Sequence, residues 1–307
     1  TTLFRSNMGL ALLANLSAYD FGYVSTGRFV ERTANAFRTM EKLERHHGHF
    51  FNWYDTQSLR PLPPLYISSV DSGNLAGHLL TLRQGLLTLG EHRIHGARVL
   101  EGLADTFGIV TDAAAAAPKG SAPTRLAQLR LDLESVLRSQ PTTLVALRLC
   151  LDRLATSAAA LVVDMEARDA DPDNQLTWWI RAFAGQCREA FDELTFLAPW
   201  TELLSSQDGF GGFAELDEIP TLLELAAVEE RLLPTITQRL GAATTSAETA
   251  WLGDLHRLIS VAGQRAATRV AAINGLAIQC ETLAWMDYGF LYDKTRHLLA
   301  IGYNVSE

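Results

Sequence analysis

Asn52-Trp53-Tyr54-Asp55 sets two aromatic rings between an amide and a carboxylate in four consecutive positions. Aromatic faces suit the C–H side of a pyranose, and planar amides and carboxylates suit its hydroxyls, so this tetrad carries both halves of a sugar-binding surface. The same two rings could instead pin a long loop to the core, and residue types leave both readings open. Asp71-Ser72-Gly73-Asn74 stands just before an apolar helical run. Asp71 or Ser72 there reads as a helix N-cap, and a helix start also presents unpaired N–H groups to a ligand. Asp287-Tyr288 and Tyr303-Asn304 flank an expected hairpin, where Asp and Asn read as turn formers or as further hydroxyl partners. Cleaving or transferring a glycosidic bond ordinarily takes two carboxyl groups, one of them kept protonated. Asp55, Asp71, Asp287 and Asp293 are the acids near these segments, and none announces a raised pKa from its sequence surroundings.

Other groups read as structural. His46-His47-Gly48-His49 has no HExxH or paired-cysteine spacing, so it is expected to be a solvated helix end rather than a metal centre. Asp169-Ala170-Asp171-Pro172-Asp173 lacks the glycine and terminal glutamate of a calcium loop and reads as a helix cap. Gly209-Phe210-Gly211-Gly212-Phe213 follows no strand and precedes no Lys-Ser/Thr, which argues against a phosphate loop. Cys150, Cys187 and Cys280 are odd in number and lie in apolar helical settings, which points to buried thiols in a reducing compartment.

The elements that must position these residues are overwhelmingly helical. Phe29, Val30, Thr33, Phe37, Met40 and Leu43 recur at three- and four-residue steps, with Glu31, Arg32, Arg38 and Lys42 on the opposite face. The pattern repeats through Leu126–Leu137 and Leu144–Leu161, and runs longest from Trp251 to Cys280. Pro118, Pro123, Pro141, Pro172, Pro199, Pro220 and Pro234 are each expected near a helix end or first turn. This predicts nine or ten helices in one all-α domain over residues 1–307, whose successive helix pairs suggest an (α/α)6-type toroid. Three segments depart from the helical pattern. Residues 47–72 form a long loop whose Phe50, Phe51, Trp53, Tyr54, Leu62, Leu65, Tyr66 and Ile67 call for burial, which predicts order. Asp112–Pro123 is of low complexity and reads as a surface linker or insertion. Residues 285–307 close in a β-hairpin whose arms are GFLYD and HLLAIGYN.

Of the 307 residues 48% are hydrophobic and 20% charged, an ordinary globular balance. A net charge of −9 with no basic run disfavours nucleic acid and anionic lipid as partners. Charged or polar residues interrupt every apolar stretch, so no membrane span is expected, and the first residues, Thr1-Thr2-Leu3-Phe4-Arg5, lack signal-peptide anatomy.

Several stretches together resemble the central region of the cyclic β-1,2-glucan synthases. They are Asn7–Leu16 (NMGLALLANL), Asp20–Tyr23 (DFGY), Thr33–Glu44 (TANAFRTMEKLE), Asn52–Thr56 (NWYDT), Pro61–Pro64 (PLPP), Ser68–Leu79 (SSVDSGNLAGHL), Asp287–Asp293 (DYGFLYD) and Ile301–Ser306 (IGYNVS). They cover both ends of the chain in the family's order, and residues about 112–250 add little.

The resemblance implies a large inner-membrane enzyme with this part on the cytoplasmic side. In that enzyme another domain extends the glucan from UDP-glucose and a phosphorylase-like part trims it. The part resembled here is the glycoamylase-like toroid that closes the ring by transglycosylation, with no cofactor of its own. The implied partners are β-1,2-glucan and the other domains of the synthase. Asn52, Trp53, Tyr54, Asp55, Asp71, Ser72, Asn74, Asp287, Tyr288, Tyr303 and Asn304 are then the candidate substrate-binding residues. The catalytic glutamates are expected beyond Glu307, which would leave an incomplete toroid, catalytically silent alone and prone to self-association through an uncovered apolar flank. The alternative is a helical structural or interaction module of the synthase that binds no sugar strongly.

Overall fold

The computed structural model describes residues 2–117, 125–167, 174–205 and 213–306. The protein is mainly all-α, 73% helical, with eleven helices among the described residues. They are α1 (Arg5–Asp20), α2 (Thr26–Met40), α3 (Ser69–Thr88), α4 (Ala97–Ala116), α5 (Arg125–Ser139), α6 (Leu144–Glu166), α7 (Gln175–Leu197), α8 (Thr201–Ser205), α9 (Leu222–Ala226), α10 (Val228–Ala242) and α11 (Ser246–Ala284). The chain divides into two compact units. Thr1–Ala18, Arg28–Leu89 and Ala271–Glu307 form one; Tyr19–Gly27 and Gly90–Val270 form the other. Among the described residues no helix is long and apolar enough to cross a membrane.

In the first unit α2 buries Phe29, Thr33, Phe37 and Met40, the stripe that the period predicts. Helix α3 buries Leu75, Leu79, Leu82 and Leu86, and the last turns of α11 add Ile273, Leu276, Cys280 and Leu283. Each such aliphatic side chain contributes roughly 1.5–3 kcal/mol on burial. Eight short strands complete this unit: β1 (Thr2–Phe4), β2 (Arg45–His46), β3 (His49–Phe50), β4 (Trp53–Asp55), β5 (Tyr66–Ser68), β6 (Tyr292–Asp293), β7 (Leu298–Leu299) and β8 (Gly302–Asn304). They pair antiparallel as β1 with β4, β2 with β3, β5 with β8 and β6 with β7. The segment 47–72 is therefore ordered, and it is ordered by pairing: Phe4 lies opposite Trp53, and Ile67 opposite Tyr303. The C-terminal hairpin is shorter than its sequence suggests. Only Tyr292–Asp293 and Leu298–Leu299 form its arms, because Gly302–Asn304 pairs with β5 instead.

In the second unit α6 packs along α7 and α5, and α7 also packs on α4. Leu144, Leu147, Leu151, Leu154 and Leu161 of α6 are buried, as are Ile180, Phe183, Cys187 and Leu194 of α7, and Phe107 lies 5.2 Å from Phe183 between ring centroids. Burial pushes the thiol of Cys187 up in pKa and that of Cys280 in the first unit up to about 12.

Three expectations are corrected. Pro234 lies inside α10, not at an end; the helix continues at the cost of one backbone hydrogen bond. Asp112–Ala116 belongs to α4, whose alanines are good helix formers, while 118–123 lies outside the described residues, as do Asp169–Asp173 and Gly209–Gly212. The cap of α3 is Ser68, whose hydroxyl accepts from Asp71 N at 3.2 Å, so Asp71, Ser72 and Asn74 sit within the first turns.

Glycine decides one close approach. Gly22 ends α1 at φ +74° with its N–H bonded to Tyr19 O at 2.9 Å, and a Cβ built there would stand 2.0 Å from Arg98 O. Gly22→Ala combines a left-handed L-residue with a backbone clash and should cost about 2–4 kcal/mol. Gly108→Ala in α4, where an added Cβ meets nothing within 4 Å, should leave the melting temperature unchanged or raise it. Equal melting temperatures for the two variants would refute this account of the turn.

Candidate functional site

Strand β4 carries Trp53, Tyr54 and Asp55, with Asn52 just before it, and a strand turns successive side chains to opposite faces. Tyr54 points inward and is 0% exposed. Its hydroxyl donates to Glu44 O at 2.7 Å and accepts from Phe51 N at 2.8 Å, and burial pushes its pKa up. Its ring has no free face, so Tyr54 pins the segment and is not a stacking platform. Trp53 points the other way and is half-buried. Asp55 turns its carboxylate on the following residues: Oδ1 accepts from Gln57 N at 3.1 Å, Ser58 N at 2.7 Å and the Ser58 hydroxyl at 2.9 Å. Those bonds, the Ser58 backbone first, hold its pKa below the usual carboxylate value, so Asp55 closes a turn as an anion.

Arg5, which the sequence reading passed over, organises what remains. It lies on the first turn of α1 and is 1% exposed. Its guanidinium donates to Phe50 O through Nη1, and through Nη2 to Asn52 Oδ1 at 3.0 Å and Ser68 O at 2.6 Å. The Asp71 carboxylate stands 3.8 Å from Nη2. One planar fork thus joins β3, β5, the residue that leads into β4, and the first turn of α3, a task that suits Arg and not a point charge. Asn52 is held twice, since Oδ1 also accepts from Ser68 N at 3.2 Å. Desolvation lowers the Arg5 pKa, with Asp71 opposing that shift.

His49 is the second organiser. It is not on a solvated helix end: the histidine run forms the β2–β3 hairpin, and His49 is buried. Burial lowers its pKa, so the ring is neutral near pH 7. Its Nε2–H donates to Asp287 O at 2.8 Å, which leaves Nδ1 as an acceptor 2.8 Å from the Ser72 hydroxyl. That hydroxyl also lies 2.9 Å from Ser68 O, so it has two acceptors for one proton. Ser72 is itself buried, and the pair therefore ties α3 to the segment after α11 instead of meeting a reactant.

Arg5 and His49 together gather Asn52, Asp71, Ser72 and Asp287, and the Tyr288 ring stands edge-on to His49 at 4.8 Å. Tyr303 stacks on His46 at 6.3 Å and meets Phe290 at 5.4 Å. Asn304 caps its own turn by accepting from Ser306 N at 3.2 Å, and Asn74 is exposed on α3. Asp287 accepts from Gly289 N at 2.8 Å and faces His47 Nδ1 at 3.5 Å. The groups still presented outward are Trp53, Asp71, Asn74, Asp287 and Tyr303. The signal that could have found Arg5 is a lone cation opening an apolar helix; for His49, it is the adjoining Phe50-Phe51.

No protein-family model matches the chain. Over 109 residues, 35% of its length, it is 37% identical to the cyclic beta-(1,2)-glucan synthase NdvB of Rhizobium meliloti (strain 1021). The aligned stretch amounts to 4% of that much longer protein. The match bears out the resemblance to the cyclic β-1,2-glucan synthases at the level of the family.

Proposed function

We propose that this chain is part of a cyclic β-1,2-glucan synthase and supplies a glucan-binding portion of the central helical domain that closes the ring by transglycosylation. The match to the Rhizobium meliloti synthase carries this reading. Two features support it: Trp53 stays half-buried on a strand whose preceding residue, Asn52, is held by Arg5, and the Asp71 carboxylate remains accessible. In this reading the helices belong to an α/α toroid and UDP-glucose is consumed by another part of the parent glycosyltransferase, which sits at the inner membrane. Asp55 is already committed as an ionised turn former, which makes it unsuited to be the protonated acid of a glycosidic site. The catalytic carboxyl pair is assigned to other parts of the parent enzyme.

One observation favours a second reading, a helical module that positions its neighbours. Tyr54, Asp55 and Ser72, three of the candidate binding residues, are used up in internal bonds. Calorimetric titration with linear β-1,2-glucooligosaccharides separates the two. Weak binding that survives chelation of metals is expected, and Trp53→Ala should weaken it at least about tenfold through lost stacking area. Absence of heat at every chain length would leave the module reading in place.

A further inference from the structure

The segment that leaves α11 carries an unexplained tryptophan. Trp285 is 72% exposed, and among the described residues its indole meets no other ring and makes no hydrogen bond. Of the other indoles, Trp200 is buried with Nε1 donating to Leu216 O at 2.9 Å, Trp251 stacks on Phe213, Trp178 stands edge-on to Trp179, and Trp53 is half-buried. A large apolar ring left in water adds little to the fold, and among the described residues no tryptophan, tyrosine or phenylalanine is more exposed than this one.

Its mounting is rigid. Gly48 holds φ +84° where an added Cβ would come 2.9 Å from the Trp285 carbonyl oxygen, so the β2–β3 turn lies directly against this backbone. Asp287 N donates to His47 O at 3.0 Å, and His49 Nε2–H donates to Asp287 O at 2.8 Å. Residues 285–287 are therefore strapped to the hairpin on both sides of Met286, itself buried. Two positions from the ring, the Asp287 carboxylate is half exposed, and it faces the equally exposed His47 imidazole at 3.5 Å. The backbone that carries the indole is fixed, and two positions on stands a carboxylate that faces an imidazole, so this segment offers one apolar face and two hydroxyl partners with little backbone left to order on binding.

We propose that Trp285, with His47 and Asp287, forms a saccharide subsite that stacks one pyranose of a β-1,2-linked glucan, separate from the Trp53 face. The identity of the saccharide rests on the reading under Proposed function; the subsite itself rests on the exposure and mounting of the ring. The full chain labelled with 5-fluorotryptophan gives one fluorine resonance for each of its six tryptophans. Trp285→Phe and Trp53→Phe identify the two that matter. Titration with linear β-1,2-glucooligosaccharides should shift the Trp285 resonance saturably, and Trp285→Ala should raise the Kd of the longer oligosaccharides about tenfold. Because the ring is exposed, the variant should keep the wild-type circular dichroism, and a loss of helicity would itself contradict this placement. A Trp53 resonance that shifts while that of Trp285 stays still overturns the subsite and leaves the binding function intact. If neither resonance moves and no heat is released, both fail. A Trp285 resonance that responds to protein concentration and not to saccharide assigns the ring to contact between copies and overturns the subsite.

Discussion

Arg5→Met should loosen the strand cluster of the first unit by about 3–5 kcal/mol, the cost of removing one partner from a buried charged network. The methionine fills much of the volume but removes the donor of Phe50 O, leaves Ser68 O only the shared Ser72 hydroxyl, and frees Asn52 Oδ1 from one of its two bonds. Asp71 can turn to water, so the buried carbonyls and not the carboxylate carry most of the loss. Arg5→Lys should recover only part of it, because an ammonium cannot span the same acceptors in one plane. Hydrogen exchange reads this locally: amides over residues 49–71 should exchange at least about a hundredfold faster, while those of α6 and α7 keep their protection. Unchanged exchange over 49–71 would mean that strand pairing alone holds the segment. A uniform rise across both units would show that the effect is global and that the Arg5 fork is not a local staple.

The second large effect is a loss of stability in acid, centred on His95 in the second unit. Burial holds this imidazole neutral and lowers its pKa from 6.5 to about 4, opposed only by a bond to the Ala190 backbone. Between those values the unfolded chain takes up a proton that the folded chain refuses. The stabilisation is therefore complete above about pH 6.5 and is lost as pH falls, amounting to about 2 kcal/mol by pH 5 and about 3 kcal/mol by pH 4. His46, His49 and His92 are shifted in the same direction by burial, so the wild-type slope contains them all. The difference between wild type and His95→Phe isolates the one group. Melting followed by circular dichroism at pH 7 and pH 5 should show the variant losing about 2 kcal/mol less over that interval, whatever its stability at pH 7. Parallel losses in both proteins would mean that His95 opens to solvent well before the unit unfolds.

Periodicity alone determined the helices, since an apolar residue every three or four positions can be buried only along one face of a helix. That is why most of the α2 stripe and of the long α11 run is buried as read, while Val30, Trp251, Leu258 and Val270 stay only partly covered. The same local information pointed to the aromatic segment 47–72 as ordered, because so much ring area is unfavourable in water. It did not place the cap of α3, because Ser68, Ser69, Asp71 and Ser72 are all competent caps and only the bonding of Ser68 selects among them. Nor did it place Pro234, which packing of α10 through Val228, Leu232 and Ile236 keeps helical.

The candidate site divides along the same line. That Trp53 and Tyr54 cannot both face a ligand follows from the two-residue period of a strand, but 53–55 becomes a strand only when β1 pairs with it across some fifty residues of chain. Which of the two rings goes inward is then decided by the acceptor at Glu44 O and the donor at Phe51 N, both placed by tertiary structure. Arg5 and His49 were invisible as organisers for a related reason: a buried charge or imidazole is tolerable only where several distant backbone carbonyls converge, and convergence is a property of three dimensions. The sequence by itself determined the helical class and most of its apolar faces, though eleven helices stand among the described residues where it suggested nine or ten. It also determined which residue types could meet a sugar and the family they resemble. Tertiary structure alone decided which of those residues are spent holding the fold and which remain at the surface, because hydrogen-bond partners far apart in sequence compete for each polar group only once the chain is packed.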